Sequence, residues 1–457
     1  MISIVKNMWM AGVCLWALSP LYAGTRLYRY RVSLTDKQKT EYSLSDPLKF
    51  LSQKSLDRRT RQGLPVDSTD LPVCSAYLSA LKEKGVKVVG TGKWTNTVLV
   101  ETDDTLRIPQ LEELPFVKST VKVWTMPDSI PARDRDRKGR VQDVVQPRTK
   151  DYYGNGQCQV EMLHADQLHQ AGFRGKGMTI AVIDGGFLNA DVIPLLKKVK
   201  VLGTRNFVHP GWDVYAESDH GTSVLSCMAA NTPHQLVGTA PEAQYWLFCS
   251  EDMDTECLAE EDYWVQAVEY ADSLGVDLIN TSLGYNEFDD HSKDYRYRDL
   301  DGRTSLMSRQ ASMAAAKGMV VVCSAGNSGN KTWKKMTPPA DADHILAVGA
   351  VDKVGLNTVF SSVGNSADGR VKPDVMARGG AAAVIRSTGK IGTANGTSFA
   401  SPVMCGAVAC LWQACPQLTA EEVMELVRRA GDRYDFPDNI FGYGIPDVWK
   451  AYLSSKP

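Results

Sequence analysis

Five short runs of the chain, at residues 178–183, 245–248, 276–280, 319–323 and 345–351, are nearly continuous in apolar residues. A strand with one wet face alternates apolar and polar side chains, whereas a strand buried on both faces does not. Segments at residues 262–274 and 305–317 fall between these runs, and another at 420–430 follows them; all three repeat apolar residues at helical spacing. Strand, helix, strand alternation predicts an α/β fold, a three-layer sandwich with a mainly parallel central sheet. In such sheets ligands gather beyond the carboxyl ends of the strands.

That pattern fills only the later part of the 457 residues, a length that fits two or three domains. The start reads as an export signal: Lys6 gives a positive n-region, residues 8–18 an apolar stretch too short for a bilayer, and Ser19, Pro20 and Ala23 a break before cleavage. Residues 1–23 are therefore expected to be a signal peptide. Cys14 follows Val13, the wrong size for lipoprotein processing. Residues 24–126 carry strand-like runs at 86–89, 97–101 and 116–123 and a helical stretch at 76–84, a small α+β unit. Residues 127–150 are rich in Arg, Asp, Lys and Pro and read as a solvated, cuttable linker. The α/β region then occupies residues 151–457.

Hydrophobic residues make up 43% of the chain and charged residues 23%, enough apolar matter for a large core. A net charge of -2 gives no reason to expect nucleic acid or anionic lipid as partners. No segment after the signal reads as a membrane span. Of 10 cysteines, eight lie from Cys158 onward, an even number that suits an oxidising compartment. Cys249 and Cys257 bracket a short acidic loop and are the first couple to test for a disulfide. Cys323 and Cys405 sit in apolar runs and read as buried free thiols.

Chemistry-bearing residues stand at the expected places. Asp184 ends the run 179–183 and is followed by Gly185 and Gly186. His220, within Asp219-His220-Gly221-Thr222, opens a helical run, and that position disfavours the imidazolium and keeps a base available. Asn280-Thr281-Ser282-Leu283-Gly284 ends another run, where an extended peptide can pair through its main chain. Ser324-Ala325-Gly326-Asn327 ends a third, and an Asn there can offer N–H to a developing oxyanion. Ser398, in Asn395-Gly396-Thr397-Ser398-Phe399-Ala400-Ser401-Pro402, stands at the start of an apolar helix whose backbone N–H groups can do the same. Singly, each residue could be a turn, a cap or a structural group. Jointly they stand in the order Asp, His, Asn, Ser, one of the known triad orders.

On these motifs the chain, over residues 172–451, resembles the subtilisin-like (subtilase) family of serine peptidases. The resemblance implies Asp184, His220 and Ser398 as catalytic triad and Asn327 as oxyanion donor. It implies a peptide cleft lined by Ser282, Leu283, Gly284, Ser324, Ala325 and Gly326. It also implies that residues 24–126 are a propeptide that blocks the cleft and is self-removed by a cut in the linker. Partners are then protein or peptide substrates and the chain's own propeptide, with no cofactor required. The expected location is exported: periplasm, cell surface or medium. Subtilases often bind structural calcium, and Asp289, Asp290, Asp294, Asp299 and Asp301 crowd one loop, but their spacing is not that of an EF-hand and no ligands can be named. The chain has Gly185 and Phe399 where the family often has Ser or Thr and Met; neither change removes a proton-handling group. An α/β-hydrolase esterase would need Gly-x-Ser-x-Gly and the order Ser, Asp, His, and both are missing. The alternative is a catalytically silent binding protein on a protease fold.

Overall fold

The structure is a computed structural model and describes residues 26–128, 141 and 147–456. The signal reading of residues 1–23, and the linker except 127, 128, 141 and 147–150, lie outside the described residues.

The N-terminal unit is built from β1 (Tyr28–Leu34), α1 (Gln53–Arg61), α2 (Ser75–Glu83), β2 (Lys87–Gly92), β3 (Thr97–Thr102), α3 (Arg107–Glu112) and β4 (Val117–Thr125). Its sheet runs β2-β3-β1-β4 and is antiparallel throughout. Side chains alternate across a strand, so Val98 and Val100 of β3 face a core with Val32, Leu34, Tyr77, Leu81, Ile108 and Leu111. Leu99 points the other way. With Trp94 and Val123 it joins a core of the following domain, against Tyr263, Trp264 and Ala267.

That domain begins with β5 (Thr179–Asp184) and β6 (Lys200–Asn206), then α4 (His220–Ala229), β7 (Gln244–Cys249), α5 (Ala259–Leu274) and β8 (Leu278–Thr281). It continues with α6 (Leu306–Ala316), β9 (Val320–Ser324), β10 (Leu346–Val351), β11 (Val375–Arg378), α7 (Thr397–Ala414) and α8 (Ala420–Arg429). Seven strands pair in the order β11-β10-β9-β8-β5-β7-β6, every pair parallel. The two faces feed separate cores. Ile180 and Val182 pack with α7 and α4, through Val403, Met404 and Val224. Ala181 and Ile183 pack with α5 and α6, through Trp264, Val268 and Met307. These two cores make the three layers.

The N-terminal unit is held to α5 and its surroundings by charge as well as apolar contact. Arg31 grips Asp262 through two bonds of 2.7 Å, and Arg29 donates to the Tyr263 hydroxyl. Asp272, fully buried on α5, accepts from Arg58 at 2.5 Å, Arg59 at 2.8 Å and Lys93 at 2.9 Å. Those cations hold its carboxyl well below the usual range, although burial alone would raise it. Glu269, one turn earlier, accepts the backbone N–H groups of Lys93 (2.6 Å) and Trp94 (2.9 Å).

The nine described cysteines are all free thiols. Cys249 and Cys257 are not joined. Cys249 closes a buried strand with its sulfur toward the Gly185 carbonyl oxygen, 3.2 Å away, while Cys257 bonds Thr255 in the loop beyond. Cys323 and Cys405 are fully buried.

Candidate active site

Parallel register brings the motif residues to one rim. Thr281 of β8 lies opposite Ile183 of β5 and Cys323 of β9. The next residues, Asp184, Ser282 and Ser324, therefore end or leave their strands at one level. Two helices close over that rim. His220 opens α4, and Ser398 is the second residue of α7.

The approach of α4 depends on a missing side chain. A Cβ at Gly221 would stand 2.4 Å from the Gly186 carbonyl oxygen and 3.0 Å from Asp184 Cβ. With glycine there, the first turn presses onto the end of β5, and His220 Nδ1 meets Asp184 Oδ1 at 2.8 Å. The same oxygen accepts the Gly185 N–H at 2.8 Å. Asp184 is fully buried, and its Oδ2 has no hydrogen-bond partner. On the other side of the imidazole the Phe399 ring stands 5.8 Å away, tilted by 48°.

The helix-start argument for a neutral imidazole does not carry through. Burial does disfavour the charged ring, but the carboxylates of Asp184, Glu251 and Asp219 outweigh it and push the His220 pKa up to about 9. Glu251 follows β7 by two residues. Burial and the charge of Asp184 push its carboxyl up to about 7, against the pull of His220.

Asn327 is oriented by the residue before Ser398. Its Oδ1 accepts the Thr397 N–H at 2.9 Å and the Thr397 hydroxyl at 3.1 Å. That leaves Nδ2 as the donor without a partner among the described residues. Thr397 Oγ1 also accepts the Gly326 N–H at 3.1 Å. Ser282 and Ser398 are tied both ways: Ser282 Oγ donates to Ser398 O at 3.0 Å, and Ser398 Oγ to Ser282 O at 3.4 Å. The Ser398 hydroxyl thus points to a carbonyl, and no hydrogen bond joins it to His220. Such bonds are often loose until substrate binds.

One cavity of about 410 Å³ is lined by His220, Glu251, Ser282, Leu283, Gly284, Ser324, Gly326, Asn327 and Ser398, with Asn286, Lys331 and Thr337 among its other walls. Of the sequence-derived residues, only Asp184 and Ala325 stay out of this lining, both fully buried behind it. A larger hollow of about 940 Å³, among Cys158, Glu161, Lys353 and Asp432, contains none of these residues. Glu251 and Thr397 were missed in the sequence. Glu251 could have been found as the residue just past a strand that neighbours β5; nothing local marks Thr397.

The acidic loop spends its oxygens on itself. Asp290 accepts from Ser292 N, Asp294 from Phe288 N, Asp299 from Arg296 N, and Asp301 from Arg303 N and Thr304 N, at 2.7 to 3.1 Å. Among the described residues no group of three or more His, Cys, Asp or Glu is placed to hold a metal ion.

Residues 175–444 match the family model described as Subtilase family. The chain belongs to that family. Residues 29–139 match a second model, Peptidase S8 propeptide domain, Bacteroidota. Similar curated proteins include Subtilisin NAT of Bacillus subtilis subsp. natto, 30% identical over 288 residues, which are 62% of this chain and 68% of that one. Subtilisin of Bacillus pumilus is 29% identical over 295 residues, 64% of this chain and 97% of the relative. Serine protease AprX of Bacillus subtilis (strain 168) is 29% identical over 317 residues, 62% and 68% of the two chains. This subtilase is thus a serine-type endopeptidase with an N-terminal propeptide domain.

Proposed function

We propose that this subtilase is exported and made as a zymogen that removes its own N-terminal domain, and that Ser398, His220 and Asp184 cut peptide bonds. The observation that carries the reading is the 2.8 Å bond from His220 to the buried Asp184, with His220 lining the cavity that also holds Ser398 and Asn327.

His220 Nε2 takes the Ser398 proton as the hydroxyl oxygen attacks the peptide carbonyl carbon. Asp184 fixes the imidazole tautomer with Nδ1 as donor and stabilises the imidazolium. The carbonyl oxygen, now negative, is held by Asn327 Nδ2 and the Ser398 backbone N–H. His220 returns the proton to the leaving amine, and the acyl-enzyme remains. Water then attacks, losing its proton to His220, which passes it to Ser398 Oγ as the acid product leaves. Residues 282–284 and 324–326 form the two edges of the cleft, around the pocket for the side chain preceding the cut. Export is supported by the signal-like start, and among the described residues no helix is long and apolar enough to cross a membrane. Residues 24–126 are the propeptide and the cut falls between Trp124 and Asp151, in the linker.

Intact mass of the exported wild type beside Ser398→Ala tests the reading. Loss of the first hundred-odd residues in the wild type alone is expected. On an added peptide, Ser398→Ala lowers turnover by about a million-fold. Comparable turnover in the two proteins rejects Ser398 as nucleophile. Full mature length in both rejects self-processing.

A further inference from the structure

Glu251 stands on the cleft wall shared with His220 and Ser398. Its interactions are electrostatic, with His220 and Asp184. Among the described residues its carboxylate accepts no hydrogen bond and forms no ion pair, although the side chain is partly buried. Gly185 leaves it room: a Cβ there would lie 3.1 Å from both Glu251 Oε2 and Met253 Sδ. Lys331 lines the same cavity, on the loop after Asn327, and makes no ion pair with it.

A peptide bound in extended form turns successive side chains to opposite sides. In the cleft proposed above, the side chain before the cut enters between residues 282–284 and 324–326. The side chain one residue earlier then faces the other wall, where His220 and Glu251 stand. A neutral or acidic side chain there leaves the half-desolvated carboxylate with only the neighbouring His220 imidazolium as counter-charge. A lysine or arginine satisfies it with a charge-assisted contact, its stem lying along the cavity wall.

We infer that Glu251 is a specificity-determining residue, which selects peptides with a basic side chain at the second residue before the scissile bond. This rests on the peptide cleft of the proposed function. The chain's own linker supplies that chemistry, with Arg133, Arg135, Arg137, Lys138 and Arg140 within eight residues.

The test uses the exported, self-processed protein and three matched peptides that differ only at the second residue before the cut: lysine, norleucine and glutamate. At pH 8 and low salt the wild type is expected to cut the lysine peptide about tenfold better in kcat/KM than the norleucine peptide, the worth of one charge-assisted contact. Glu251→Gln brings that ratio close to one. Glu251→Lys inverts the order, so that the glutamate peptide is preferred over lysine. Each ratio is taken within one protein preparation, so a lower folded fraction cancels. Ser398-dependent cleavage with a ratio near one in the wild type, or a ratio unmoved by both substitutions, overturns the subsite and leaves the peptidase standing. Absence of any Ser398-dependent cleavage overturns both.

Discussion

At the scale of single residues, the acid groups around His220 set the pH at which it works. A base must be neutral, and Asp184, Glu251 and Asp219 hold the imidazolium up to about 9 against burial. Activity should therefore rise with pH through that value in the free enzyme. Glu251→Gln removes one of the three negative charges and should move the rising limb of kcat/KM to lower pH, by up to about one unit. An unmoved or upward-shifted limb would show that Glu251 is not felt by the base. Asn327 is testable by size of effect. Asn327→Leu keeps the volume and removes the donor, and kcat should fall by about 100- to 1000-fold with little change in KM. Thr397→Val removes the hydroxyl bonded to both Asn327 Oδ1 and Gly326 N, and should lower kcat less, in steady-state assays beside the Asn327 variant. The four positions proposed as triad and oxyanion donor were legible as candidates in the sequence, because strand ends and helix starts are marked by apolar runs meeting small residues. Glu251 was passed over: it lies just past β7, which follows β5 by 60-odd residues in the chain and pairs with it in the fold.

At the scale of elements, the contact between α4 and the end of β5 is the hinge of the site. Gly221→Ala would place a methyl group 2.4 Å from a backbone oxygen, and α4 must back away. A displacement of about 1 Å of a catalytic group costs on the order of 100-fold in turnover. Stopped-flow or steady-state turnover of that variant, compared with its thermal midpoint, separates misplacement from unfolding: activity should fall far more than the folded fraction. The elements read correctly from sequence are those buried by hydrophobicity, β5, β7, β8, β9 and β10 above all. The ones passed over were placed by other forces. In α1 the buried residues are Ser55, Arg58 and Arg59, so its inner face is made of cations and reads as surface. β1 has Arg29 and Arg31 on the face that docks on α5. β6 is a half-exposed edge strand and β11 only four residues long, too little for a period to show.

At the scale of the whole molecule, the N-terminal domain is bound through a carboxylate that three cations share. Removing it leaves Arg58, Arg59 and Lys93 in the interface without their common partner, and breaking a buried ion pair in this way costs about 3–5 kcal/mol. In an uncut Ser398→Ala background, Asp272→Ala should lower the urea midpoint for separation of the two domains by that amount of stability. A second probe, the yield of self-processed protein from Asp272→Ala in the active background, should drop with it. An unchanged midpoint would mean that the Arg31–Asp262 pair, the Glu269 bonds and the apolar contacts of Trp94, Leu99 and Val123 carry the interface without Asp272.

The shared core of those three side chains with α5 has a consequence for the proposed cut in the linker. Before the cut, the N-terminal domain is tethered, and its effective concentration at α5 is fixed by the chain. After it, the same surfaces meet as two separate molecules, and their association obeys the total amount present. If the released domain covers the cleft, as the proposed zymogen requires, a processed preparation should be less active when concentrated and gain activity on dilution, at a pace set by the dissociation rate. Whatever space receives the enzyme becomes, by its volume alone, part of the switch.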